Sequence, residues 1–453
     1  MTRKTCLHWL ITLLIPALIM LIPTSELFTP AMQSMCAVTM LGMLMLCFSL
    51  MDSAIVAFIL MLGYLVIGIP QKVVFSAWLS DIPWLVLFSL LFVNIVSRTS
   101  LLDKMAYSAL SRFGSSYMAI MMIITSLSIA LRLILPSSMG FMLVLTFAYG
   151  LCMALDYKGR PAAGLLLMSL ISYKDASFFI YSPDFIAILY EAGRTIAGLT
   201  PSYSEFFINN AVFVINLYLT AFGLALLCRP KSALPGKAFF AEKLSALGRT
   251  TVDEKKIIAV LVGLLVYIFA SSYIGLPILW GFMLAPIILY LPGFNIGTAN
   301  DIKTINYNSL LFIAGCMAIG SAATATNAGK ALALGMLPVF ESMSAPVFTF
   351  VCYVMMVLLN FFMTPLAAMG AFAAPLTELA MQLNFNLHPI YLAVFNGVSQ
   401  VLLPHETATY LICFSFGLFS LRDFMIVLGL KMIIQTLFLV TFGFGWWTLM
   451  GLF

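Results

Sequence analysis

Apolar runs follow one another along nearly the whole chain, at 7–23, 31–50, 53–69, 82–97, 117–156, 161–190, 206–228, 257–273, 276–292, 309–327, 346–383, 388–418 and 425–449. A helix needs ~20 apolar residues to cross a bilayer. Runs of this length and number leave lipid as the main solvent. Charge agrees: only 9% of the 453 residues are Asp, Glu, Lys or Arg, against ~25% in soluble domains. No soluble domain is expected, and nothing points to nucleic acid. The eight cysteines form no Cys-x-x-Cys pair and sit mostly in apolar runs, so they read as small buried hydrophobes.

Two runs are too long for one crossing and too apolar for a loop. Residues 117–156 carry Pro136-Ser137-Ser138-Met139-Gly140 at their centre, and residues 346–383 carry Met363-Thr364-Pro365. Proline there breaks the helix and frees backbone groups that lipid cannot satisfy. A re-entrant hairpin with a polar tip buried in protein solves the problem. Each hairpin is followed by an interrupted helix. The first is interrupted at Ser172-Tyr173-Lys174-Asp175 and again at Tyr181-Ser182-Pro183-Asp184, the second at Pro404-His405-Glu406-Thr407-Ala408-Thr409. Ser137 and Thr364 are 227 positions apart, and Pro183 and Pro404 are 221 apart. The same order of features therefore recurs at nearly one offset.

Charge placement orients the repeats. With the amino terminus in the cytoplasm and each hairpin returning to its own side, 17 of the 22 basic residues fall inside, Lys431 among them, as the positive-inside rule asks. The first hairpin then opens to the cytoplasm and the second to the outside. The expected fold is an all-α membrane protein of about 11 transmembrane helices plus two re-entrant hairpins, in inverted-topology repeats. Its parts are an N-terminal helix in 1–30, a first repeat in 31–228, a cytoplasmic basic loop in 229–256 and a second repeat in 257–453. The start (Arg3, Lys4, then apolar residues to Pro23) resembles a signal peptide without a small-x-small cleavage site; it is read as a retained first helix.

Inverted repeats with helices broken near the midplane are the logic of many secondary transporters. The free amides at a half-helix amino end favour an anion, and the carbonyls at the other end favour a cation. Arg132, Lys174, Asp175, Asp184, His405 and Glu406 all lie in or beside the breaks. Each costs about 2.5–3.5 kcal/mol at a helix centre on insertion scales, so together they must be paired or line a solvated site. Lys174 and Asp175 would diverge on a regular helix, whereas a break would let them pair. Asp52 and Asp423 sit at helix ends as caps, and His8 and His388 flank spans as interfacial groups.

At these positions the chain resembles the divalent anion–sodium symporter family. The hairpin tips of that family read Ser-Asn-Thr; Leu135-Pro136-Ser137-Ser138-Met139 and Phe362-Met363-Thr364-Pro365-Leu366 stand in their places. Tyr181-Ser182-Pro183-Asp184 and the run from Leu403 to Tyr410 look like its two unwound loops. The resemblance implies a homodimer with a scaffold and an elevator-like transport domain, moving small carboxylates or inorganic oxyanions. It implies substrate contacts at Ser137, Ser138 and Thr364, and ion sites around Ser182, Pro183 and Thr407. The Asn and Thr of both tips are replaced here by Ser138, Met139, Pro365 and Leu366. Met and Leu cannot donate a hydrogen bond.

The expected function is secondary transport of a small anion in the bacterial inner membrane, coupled to Na⁺ or H⁺. Arg132 and Lys174 join the substrate-binding candidates, and Asp175, Asp184, His405 and Glu406 the ion-coupling ones. Two alternatives are an inactive or accessory membrane subunit and an intramembrane enzyme. For the latter, His405-Glu406 lacks a second His at Thr409, and no catalytic residue, metal ligand set or cofactor is expected.

Overall fold

The computed structural model describes residues 3–453 apart from 26–27, 49, 115, 135–139, 182–184, 231–235, 275, 306 and 361–363. Among the described residues the regular structure is entirely helical. The first half runs α1 (Arg3–Met20), α2 (Pro30–Cys47), α3 (Ser53–Val66), α4 (Gln71–Val74), α5 (Asp81–Ser97), α6 (Leu101–Phe113), α7 (Tyr117–Ile134), α8 (Phe141–Ala154), α9 (Arg160–Asp175), α10 (Ile186–Ala197), α11 (Tyr203–Asn210) and α12 (Phe213–Leu227). α13 (Lys237–Ala246) lies in the basic connection. The second half runs α14 (Val252–Ile274), α15 (Ile278–Tyr290), α16 (Ala299–Lys303), α17 (Tyr307–Ala325), α18 (Ala328–Phe340), α19 (Ala345–Leu359), α20 (Pro365–Gln382), α21 (Leu387–Val398), α22 (Ala408–Ser415), α23 (Leu421–Phe438) and α24 (Phe444–Leu449).

The surface of α12 shows which solvent the fold is built for. Ile215, Leu219, Phe222 and Leu226 recur at helical spacing on its exposed face, while Asn216 and Thr220 are buried on the other. Water would reverse that arrangement; hydrocarbon favours it. The number of helices suits a multi-span membrane protein. Individually they are short. Leu421–Leu449 is one continuous rod of 29 residues, through a π turn at Leu439–Gly443. By length and composition it is the one described helix able to cross unaided, with two bent pairs making up to three. Breaks and amphipathic segments account for the rest.

Helices end on either side of the expected breaks at the two hairpins and before Pro404. α7 ends at Ile134 and α8 starts at Phe141; Pro136, Ser137 and Ser138 lie outside the described residues. α19 ends at Leu359, and α20 starts with Pro365 at its first position and Thr364 as its N-cap, the hydroxyl accepting from the Ala367 amide at 3.4 Å. Proline belongs there, since a first-turn amide has no intrahelical acceptor. α21 ends at Val398, and a single 3₁₀ turn, Pro404–Glu406, precedes α22. α9 ends at Asp175, and a 3₁₀ turn at Ala176–Phe178 leads toward α10.

The pairs also pack alike: α7 and α8 both lie on α9, and α19 and α20 both lie on α21. The α19–α21 contact is close because Gly397 has no side chain; a Cβ there would stand 2.6 Å from the Tyr353 carbonyl oxygen. α12 packs on α23, and α23 on α9, so the halves interlock around the breaks.

Several expectations need correction. Ser172–Asp175 is helical, the Ser172 hydroxyl donating to the Met168 carbonyl at 2.6 Å within an unbroken turn. The helix stops only at Asp175, and Ser182, Pro183 and Asp184 of the second expected interruption lie outside the described residues. The segment between the apolar runs 82–97 and 117–156 contains the amphipathic α6, turned 67° from α5. Its Lys104 is buried against Glu254 at 2.7 Å and anchors the start of α14. His388 is buried rather than interfacial, bonded to the Tyr190 hydroxyl and, at 3.0 Å, to the Asn210 amide. Asp52 and Asp423 do cap, accepting from Ala54 at 2.9 Å and from Ser420. Cys152, Cys228, Cys316, Cys352 and Cys413 are buried thiols, whereas Cys6 is exposed.

Candidate functional site

The interruptions of α9 and α21 face each other. Phe178 and Phe185 from the first pack on Phe395 of α21, with ring centroids 5.2 and 6.3 Å apart. Lys174, in the last turn of α9, holds its ammonium 4.9 Å from the centre of the Tyr410 ring and 5.9 Å from that of Phe185. Tyr410 is in the first turn of α22, whose N-cap is Thr407. A cation of the first interruption is thus delivered to the amino end of the half-helix after the second. Positive charge and free amides there act together on an anion.

Arg132 comes from the last turn of α7, at the root of the first hairpin. It is 1% exposed, its Nε donates to the Ser177 hydroxyl at 3.0 Å, and its guanidinium lies 5.2 Å from the centre of the Tyr173 ring. Gly140, on the other side of the hairpin tip, backs onto the same tyrosine, where a Cβ would collide with the ring. The described residues on either side of the tip, Arg132 and Gly140, therefore both rest on Tyr173. Ser137, Ser138, Ser182, Pro183 and Asp184, like the side chain of His405, lie outside the described residues.

Lys174 and Asp175 point apart, as consecutive helical residues do. Asp175 pairs instead with Lys431 of α23, Oδ2 to Nζ 3.3 Å, with both side chains at most 2% exposed. This corrects the reading of Lys431 as a cytoplasmic lysine. The same Asp175 oxygen accepts from the Gln435 amide at 2.8 Å, and Lys431 donates to the Ser399 carbonyl at 2.7 Å. Glu406 is buried, with one oxygen accepting from the amides of Leu402 and Leu403 at 3.1 and 2.8 Å and the other from Asn360 at 3.1 Å. Asn360 also donates to the Gln400 carbonyl at 2.9 Å. One polar chain thus ties the root of the second hairpin to the α21 interruption, to α23 and to α9. Buried charges this well bonded hold geometry as firmly as they add stability.

Among the described residues no group of three or more His, Cys, Asp or Glu is placed to hold a metal ion. A cavity of about 660 Å³ lies apart from the interruptions, lined mostly by apolar residues such as Met32, Met35, Met43 and Phe372.

Over residues 3–453 the sequence matches the profile of the sodium:sulfate symporter transmembrane region. The chain belongs to the sodium:sulfate symporter family. Among solved structures, the fold of this family member is similar to that of the YdaH transporter of Alcanivorax borkumensis. The TM-score is 0.55 and the sequence identity 14%, over 98% of this chain and 99% of the other. At that identity the likeness concerns the fold alone. Curated protein sequences give no match. Family membership makes this symporter-family chain a membrane transporter rather than an enzyme, in line with its inside-out surface.

Proposed function

We propose that the chain carries a small divalent anion, an oxyanion or a dicarboxylate, by secondary active transport, with one site between the two helix interruptions. The observation that carries this reading is Lys174: a cation rooted in α9 stands at the amino end of α22. Arg132 supplies the second positive charge from the first hairpin. Thr364, with Ser137 and Ser138, would bond substrate oxygens. Ser182, Pro183, Asp184, His405, Glu406 and Thr407 form the ion-coupling side, with Na⁺ or H⁺ as the coupling ion, and Asp175 borders it in its pair with Lys431. An elevator movement is supported by the face where α10 and α20 meet α17, since Ala192, Gly320, Ser321, Gly370 and Ala373 offer small, shallow relief there. Homodimerisation, insertion in a bacterial inner membrane with the amino terminus cytoplasmic, and the division into inverted repeats belong to the same proposal.

Uptake of labelled sulfate, succinate and citrate into liposomes tests it, with imposed sodium or proton gradients. Saturable uptake of at least one divalent anion, raised by one of the gradients, is expected. Flux equal to that of protein-free liposomes for every anion and gradient overturns it, and leaves an accessory subunit as the reading.

A further inference from the structure

Lys431 occupies a position made for a free cation. Its ammonium lies between the carboxyl ends of two interrupted helices. The Ser399 carbonyl, just past the end of α21, accepts from it at 2.7 Å, and Asp175, the last residue of α9, faces it at 3.3 Å. The last carbonyls of a helix have no intrahelical donor and carry the negative end of its dipole. One helix-end carbonyl and one carboxylate thus meet the positive charge, oxygens of the kind that bind coupling ions where transporter helices unwind.

The neighbouring residues extend this polar site. Gln435 donates to Asp175 at 2.8 Å, and its own carbonyl accepts from Gln400 at 3.1 Å. The side-chain oxygens of Gln400 and Asn360 are buried and accept no hydrogen bond among the described residues. Both residues are at most 2% exposed. Leaving a buried acceptor without a donor costs about 1–3 kcal/mol; the Asn396 amide nitrogen beside Gln400 is likewise buried without an acceptor among the described residues, so the surroundings of the pair are polar rather than apolar.

We propose that the Lys431 ammonium is a resident cation, tethered by its side chain where the second interruption would otherwise hold a mobile monovalent ion. The inference rests on the transport reading and deepens it. A tethered charge travels with the protein in both directions and dissipates no gradient, so coupling at this position is lost. Transport by this chain then draws on one coupling ion fewer than the site geometry allows.

The test removes the tether and counts ions. Radioactive sodium bound per chain is measured in detergent for the wild type, for Lys431→Met, and for Lys431→Met combined with Asp175→Asn. Thermal melting is recorded in sodium and in choline. The single variant is expected to bind one more Na⁺ per chain than the wild type. Its sodium-dependent rise in Tm should exceed that of the wild type by ~4 °C, from a ligand stabilising only the folded state. The double variant, without the carboxylate, is expected to fold and to bind no additional ion. Equal sodium counts in folded wild type and Lys431→Met overturn the proposal. So does a single variant that fails to fold even in sodium while the double variant folds. Binding needs no flux: an extra ion bound by a protein that moves no anion upholds this inference and refutes the transport reading.

Discussion

Asp175→Asn alone is expected to cost about 3–5 kcal/mol of stability, and adding Lys431→Met to it to recover most of that loss. The asymmetry follows from burial. Both charged groups are at most 2% exposed and face each other at 3.3 Å. Neutralising the carboxylate leaves a buried ammonium with only uncharged acceptors, the Ser399 carbonyl and the Asn amide oxygen, and no counter-charge. Neutralising both removes the unpaired charge, and a Met side chain fills most of the space a lysine occupied. Replacing a buried pair by groups of similar volume is often close to neutral. Melting in detergent, under conditions where the variants are compared at one scan rate, separates the cases. The single variant should melt well below both the wild type and the double variant. Single and double variants losing the same stability would show that Asp175 contributes through something other than this pair.

The second large effect concerns flux. Arg132→Met with Lys174→Met is expected to lower anion uptake at least ~100-fold, since hydrogen bonds to charged groups contribute about 1.5–3 kcal/mol each. Arg132 also braces Ser177 and Tyr173, so a fall in uptake could reflect a displaced hairpin. Arg132→Lys and Lys174→Arg control for that, because they keep the charge while changing the shape. They should raise KM while leaving the maximal rate within about tenfold. Uptake retained by the double Met variant would remove both residues from the substrate site.

The breaks were legible because proline and clustered small polar residues stand out inside apolar runs, and Pro365 and Pro404 take first-turn positions in the structure. The extra interruption read at Ser172–Asp175 was wrong for a physical reason: serine in a membrane helix satisfies its hydroxyl on the preceding turn, as Ser172 does on Met168. Lys431 was misplaced because it was grouped with Arg422 as cytoplasmic charge. Its depth was available from the sequence. It stands ten residues into α23, ~15 Å along the axis at 1.5 Å per residue, which is half of a ~30 Å core. Gln435, one turn further on, repeats the polar signal on the same face. The pairing of Lys431 with Asp175 was beyond reach, since it joins residues 256 positions apart through the tertiary fold. His388 escaped for the same reason, its partners Tyr190 and Asn210 coming from the first half.

The central claim, one anion site reached from the two sides in turn, is tested most directly by counterflow. Liposomes containing the purified protein are loaded with an unlabelled divalent anion and diluted into medium holding a trace of the same anion labelled. A carrier predicts transient accumulation of label inside, above its outside concentration, because inward label exchanges for outward unlabelled anion. Label that rises only to equality with the outside, or that does not enter beyond protein-free controls, would contradict the account.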